Sequence, residues 1–138
     1  MAILISIIVL GLIFDFINGF HDAANSISTI VTTRVLTPFQ AVIWAAFFNF
    51  VAFFISKYII GEFGIANTVS KTVYEEYITL PIILAGVIGA IIWNLLTWWR
   101  GIPSSSSHTL IGGFAGSAIM ANGFNAIHGS IILKIASF

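Results

Sequence analysis

The sequence contains no cysteine, which excludes disulfide staples, thiol nucleophiles and Cys-based metal centres. It is equally poor in charge. Charged residues make up 7% of the chain, five basic and five acidic, and the formal net charge is zero. A soluble domain carries roughly 25% charged residues, and a nucleic-acid binder carries a basic footprint; this chain has neither. Only three prolines interrupt it. No basic n-region with a small-x-small cleavage site opens it, so residues 1–14 read as a retained membrane segment rather than a signal peptide. What the chain holds in abundance is apolar matter: 59% of its residues, with a mean hydropathy of +1.07. The expectation is an all-α, polytopic membrane protein whose main surroundings are the lipid bilayer.

Ionisable residues mark where the spans stop. Residues 1–14 are apolar but for Ser6. At 1.5 Å per residue they reach about 21 Å, short of a ~30 Å hydrocarbon core. That segment either ends inside the membrane or continues through Asp15 and Asp22. Pro38 opens a second span over about residues 39–56, inside the charge-free interval between Arg34 and Lys57. Residues 57–76 are the hydrophilic stretch, with Lys57, Glu62, Asn67, Lys71, Glu75 and Glu76, and read as an aqueous loop. A third span covers about residues 77–99. Pro81 falls in its first turn, where a missing N–H costs least, and Trp93, Trp98, Trp99 and Arg100 form an interfacial belt. Arg34 and Arg100 nearly balance Lys57 and Lys71 across alternate connections, so charge leaves the orientation open.

Residues 101–122 hold no Lys, Arg, Asp or Glu, yet four serines, Pro103 and Gly112-Gly113 break any simple span. The apolar core of this stretch, residues 110–120, is too short to cross, which predicts a re-entrant or discontinuous half-helix.

Two polar constellations stand out against this background. In the first, Asp15, Asn18, Asp22, Asn25, Ser26, Thr29 and Thr33 fall at offsets 0, 3, 7, 10, 11, 14 and 18, all on one helical face. A carboxylate inside a bilayer costs at least ~2.5 kcal/mol on insertion scales. Asp22, with the oxygens of Asn25 and Ser26 beside it, is therefore a candidate cation or proton site. His21, about 100° away around the helix, reads as a satisfied structural histidine or an interfacial donor.

The second constellation is Gly101-Ile102-Pro103-Ser104-Ser105-Ser106-Ser107-His108. A helix beginning at Pro103 exposes free N–H groups and the positive end of its dipole. The hydroxyls of Ser105, Ser106 and Ser107 add neutral donors, so the run reads as an anion cradle. Gly112 and Gly116, four apart, are expected to allow close helix approach behind it. His108 follows as a candidate proton-sensitive or gating group. An anion next to ionised Asp22 is repelled by roughly 4 kcal/mol at 4 Å and an effective dielectric of 20. A cation at Asp22 relieves that, which points to cation-coupled anion transport. The residues do not suit an intramembrane serine hydrolase: adjacent Ser and His cannot readily bond, and no G-x-S-x-G elbow occurs. No catalytic residue, enzyme activity, cofactor or nucleic-acid partner is expected. A non-transporting membrane assembly subunit is the other reading the glycines and polar stripe permit.

The motifs carry a resemblance. Gly19-Phe20-His21-Asp22-Ala23-Ala24-Asn25-Ser26 resembles the G-x-N-D-x-x-N-S signature of the inorganic phosphate transporter (Pit) family, and the serine run resembles its G-x-P-x-S-S/T-S/T-H signature. Trp93-Asn94-Leu95-Leu96-Thr97-Trp98-Trp99 and Phe48-Asn49-Phe50 are similar to the bacterial low-affinity branch. The two signatures lie about 80 residues apart, and the likeness covers essentially residues 1–138.

The resemblance implies symport of inorganic phosphate, free or as a metal–phosphate complex, with Na⁺ or H⁺ across the inner or plasma membrane. It implies an inverted-repeat fold in which each half supplies one copy of both motifs. By position, Asp22 and Asn25 match the ion- and phosphate-associated pair, Ser105, Ser106 and Ser107 the hydroxyl cluster, and His108 its following histidine. A sodium ion would sit at Asp22. His21 replaces the usual Asn, and Asn49 stands where some relatives carry Glu. Each motif occurs once, so the chain corresponds to an N-terminal half. It is expected to act with a second repeat or a homodimer partner, as a fragment, a split-transporter piece or a half-length protein.

Overall fold

The computed structural model describes residues 1–60 and 69–137. Among them the chain is helical, with a single isolated antiparallel bridge, Val73 to Ile127. Five α-helices follow in order: α1 (Ala2–Thr32), α2 (Pro38–Ile55), α3 (Leu80–Arg100), α4 (Ser106–Asn122) and α5 (Gly129–Ala136). Among the described residues, three stretches are long and apolar enough to cross a membrane: Ala2–Thr32, Pro38–Ile59 and Leu80–Arg100. The first segment therefore continues through Asp15 and Asp22 as helix, resolving the alternative the sequence left open. Its small polar side chains turn back on the helix. Ser6, Ser26, Ser28 and Thr32 donate to the carbonyls of Ala2, Ala23, Asn25 and Ser28 at 3.1, 3.2, 3.0 and 2.7 Å, so these four hydroxyls are satisfied within the helix in an apolar medium.

The chain divides into two compact units, Met1–Asn18 with Ile65–Phe138, and Gly19–Gly64. In the second unit α1 ends at a left-handed residue, Arg34 (φ 59°). The N–H of Val35 reaches the carbonyl of Ile30 at 3.1 Å and that of Arg34 reaches Val31 at 3.0 Å, the paired bonds of a Schellman stop. Thr37 then caps α2. Its hydroxyl accepts from the N–H of Gln40, whose side chain accepts from the Thr37 N–H, and Pro38 fills the first turn. The end of α2 passes into a π-helical turn, Ser56–Ile60.

The first unit is built on α3 and α4, which run antiparallel. The order of their contacts sets the direction: Gly86 meets Gly113 and Phe114, and one turn earlier on α3 the carbonyl of Ile82 accepts from Ser117 Oγ at 2.9 Å. Every fourth residue of α3 (Ile82, Gly86, Ala90, Asn94) is buried, followed by Thr97. Small residues at Gly86 and Ala90 let the backbones touch, which is how helices associate where no hydrophobic drive exists.

Gly112 and Gly116 do not serve that purpose. A Cβ at either would meet nothing within 4 Å; the touching face contains Gly113 instead. The core of the unit is Val73, Ile82, Phe114, Ala118 and Ala126. The expected aqueous loop, residues 57–76, lies outside the described residues at 61–68. Of its described part, Thr72 and Val73 are buried, and Tyr74 N–H and His128 N–H donate to Ala126 and Thr72 carbonyls at 3.0 and 2.9 Å.

Candidate functional site

The N-terminus of α4 is prepared by the two residues that end α3. Gly101 is left-handed (φ 65°). Its N–H and that of Ile102 return to the carbonyls of Trp98 and Thr97 at 3.1 and 2.9 Å, a second Schellman stop. Arg100 stacks over the Trp99 ring at 5.2 Å. Residues 102–105, Pro103 among them, are not helical, and α4 starts only at Ser106. The expected start at Pro103 is thus three residues early. The reason is Ser105: it adopts an extended conformation and its hydroxyl accepts from the His108 N–H at 3.4 Å, so it is the N-cap.

Three of the four serines of the run have distinct side-chain partners. Ser104 Oγ lies 3.3 Å from Thr109 Oγ1, and Thr109 donates to the Ser105 carbonyl at 2.9 Å. Ser105 Oγ lies 2.8 Å from His108 Nδ1, while His108 Nε2 lies 3.4 Å from the Ile135 carbonyl on α5. His108 is thus tied to the cap and to the next helix. Ser106 Oγ donates to Asn18 Oδ1 on α1. Among the described residues Ser107 Oγ has no hydrogen-bond partner, and the N–H groups of Ser106 and Ser107 have no backbone partner. Two amides at the positive end of a 17-residue helix and one uncommitted hydroxyl can therefore act together on an anion.

Two features were not assigned from sequence. Asn18 was grouped with the Asp22 stripe, yet it is the residue of that stripe that bonds the serine run. Asn94 is 0% exposed, and neither Nδ2 nor Oδ1 has a partner. An unsatisfied buried amide group costs about 1–3 kcal/mol, a cost that one more polar group at this place removes. A polar residue at a four-residue repeat of small side chains is the signal that would have found it.

Asp22, Asn25 and Ser26 belong to the other unit. All three are exposed. His21 is buried at 7% exposure and its Nδ1 has no partner, so of the two expected roles the satisfied structural histidine does not hold. Among the described residues no group of three His, Cys, Asp or Glu gathers as a metal site.

Comparison with known proteins follows the same residues. The phosphate transporter family pattern matches residues 18–138. A probable low-affinity inorganic phosphate transporter of Rhizobium meliloti (strain 1021) is 50% identical over 97% of this chain, which covers 39% of that protein. One of Bacillus subtilis (strain 168) is 47% identical over 95% of the chain, covering 38% of it. The low-affinity inorganic phosphate transporter PitB of Escherichia coli (strain K12) is 38% identical over 76% of the chain, covering 21%. The chain thus spans about two fifths of the length of the first two curated relatives. No solved structure matches it.

Proposed function

From this chain's membership of the phosphate transporter family, we propose that it supplies one of two half-sites for symport of inorganic phosphate with Na⁺ or H⁺. It is a multi-pass membrane transport component, not an enzyme. Phosphate binds at the N-terminus of α4, held by the Ser106 and Ser107 amides, the Ser107 hydroxyl and the helix dipole, with Ser105 and Ser106 fixing the turn. The observation that carries this reading is the uncommitted donor set at a capped helix N-terminus with no Lys or Arg within it. Neutral donors suit a transporter, because they attract an anion without trapping it in a permanent ion pair.

Asp22, Asn25 and Ser26 take the coupling ion, offering the hard oxygens a small cation prefers. The complementary half-site comes from a second repeat or a second copy. The test is uptake of radiolabelled phosphate into proteoliposomes holding the chain, alone and with a complementary half, under Na⁺ and proton gradients. Gradient-dependent uptake supports the proposal. No phosphate binding in either arrangement overturns it.

A further inference from the structure

Asn94 is the one fully buried side chain among the described residues with both its donor and its acceptor unused. Its nearest polar neighbour along α3, Thr97, donates to the carbonyls of Trp93 and Asn94 itself at 3.0 and 3.1 Å, so that hydroxyl proton is engaged. The antiparallel register gives its level on α4. Ile82 pairs with Ser117 and Gly86 with Gly113. Two more turns along α3, Asn94 falls opposite the first turn of α4. Asn94 lies on the packed face of α3, four and eight residues on from Ala90 and Gly86. Ser107 lies on the packed face of α4, four and seven residues before Ile111 and Phe114.

Around that level most other polar groups are committed: Ser104 with Thr109, Ser105 with His108, Ser106 with Asn18. Asn94 and Ser107 are the uncommitted ones, and together they differ in kind. Ser107 and the helix amides offer donors to a tetrahedral oxyanion. A carboxamide adds an oxygen that carries no proton and can only accept, whereas the serine oxygen both donates and accepts.

We infer that Asn94 Oδ1 accepts the P–OH proton of the anion held at the α4 N-terminus, and so selects phosphate over sulfate. The inference rests on the reading of that N-terminus as a phosphate cradle. The chemistry is discriminating because the two anions share size and shape but not protonation. At neutral pH phosphate keeps at least one hydroxyl, whereas sulfate keeps none. Sulfate would set an oxygen lone pair against the Asn94 oxygen and leave that buried acceptor unpaired, the arrangement by which sites reject analogues lacking a hydroxyl. Arsenate, which retains an As–OH, is expected to pass. The Nδ2 group meanwhile donates to a second oxygen of the same anion.

The test is competition by sulfate and by arsenate against radiolabelled phosphate uptake or binding, in proteoliposomes holding the wild-type chain with its complementary half, and in the same preparation carrying Asn94→Leu. Size-exclusion profile and thermal transition in detergent check the folded state, and Asn94→Ala serves if the Leu variant aggregates. Wild type is expected to prefer phosphate to sulfate by at least about tenfold, with arsenate competing well, and the variant to lose most of that ratio. A folded variant with weaker phosphate binding but an unchanged phosphate-to-sulfate ratio overturns the inference and leaves the cradle standing. A wild-type preparation that binds no phosphate overturns both. An asparagine that only fills space shifts the thermal transition and leaves the ratio alone.

Discussion

Gly113 rests directly on the backbone of Gly86: a Cβ built on Gly113 overlaps the Gly86 carbonyl oxygen, and one on Gly86 comes within 3.0 Å of the Phe114 Cα. The two helices thus meet main chain to main chain, and that contact fixes the register that sets Asn94 level with the first turn of α4. Because the opposing atoms are backbone, neither side can yield by a change of rotamer. Gly113→Ala is expected to destabilise the protein by about 1–3 kcal/mol, whereas Gly112→Ala, with open space around it, is expected to be neutral or slightly stabilising. Thermal unfolding of the two variants in the same detergent checks this; equal transitions would show that the glycine contact is not what sets the pair.

Ser105 serves both the α4 amides and the His108 ring. Removing its hydroxyl leaves an orphan N–H and releases the imidazole. Ser105→Ala should lose about 1 kcal/mol of stability, the usual worth of an N-cap, while Ser105→Asp retains most of it. Chemical denaturation of the three proteins reads the difference. An Ala variant as stable as wild type would remove Ser105 from the role of cap.

Ser106 and Asn18 hold α4 to the first part of α1 through one side-chain bond. Ser106→Ala and Asn18→Ala are each expected to be destabilising, and the double variant little worse than either. Their coupling should fall within about 0.5–3 kcal/mol, as for groups in one hydrogen bond. Strict additivity in a double-mutant cycle would dissolve the pair.

Ser107→Ala deletes the uncommitted hydroxyl of the cradle without breaking a bond within the protein. Its expected signature is a rise in KM for phosphate with unchanged folding stability. Asp22→Asn is expected to act differently, flattening the dependence of uptake on the cation gradient while phosphate binding at the α4 N-terminus persists. Uptake kinetics at varied Na⁺ and pH distinguish the two; identical phenotypes would contradict separate roles for the two residues.

The sequence by itself determined the environment, the helices and the family. With 7% charge, no cysteine and long apolar runs, only internally satisfied helices fit a bilayer, and Pro38 and Pro81 do open helical turns. The serine run, the Asp22 stripe and the family were legible because they are local, ordered patterns. Sequence reasoning placed the α4 start at Pro103 and the close contact at Gly112 and Gly116, and both were wrong for one reason. Spacing gives a face, but not which neighbouring residue wins a cap or a crossing point.

Only the tertiary structure decided those points. Ser105 became the cap because its hydroxyl reaches the His108 amide, and Gly113 became the crossing point because it alone of the three glycines meets Gly86. Asn18, the partner of Ser106, comes from a helix 88 residues away in sequence, and Asn94 with its unused amide lies on the preceding helix. Periodicity along one helix carries no information about what a second helix brings to it. Packing does, and here it commits three of the four serines, leaves two amides and one hydroxyl free, and buries Asn94 without a partner.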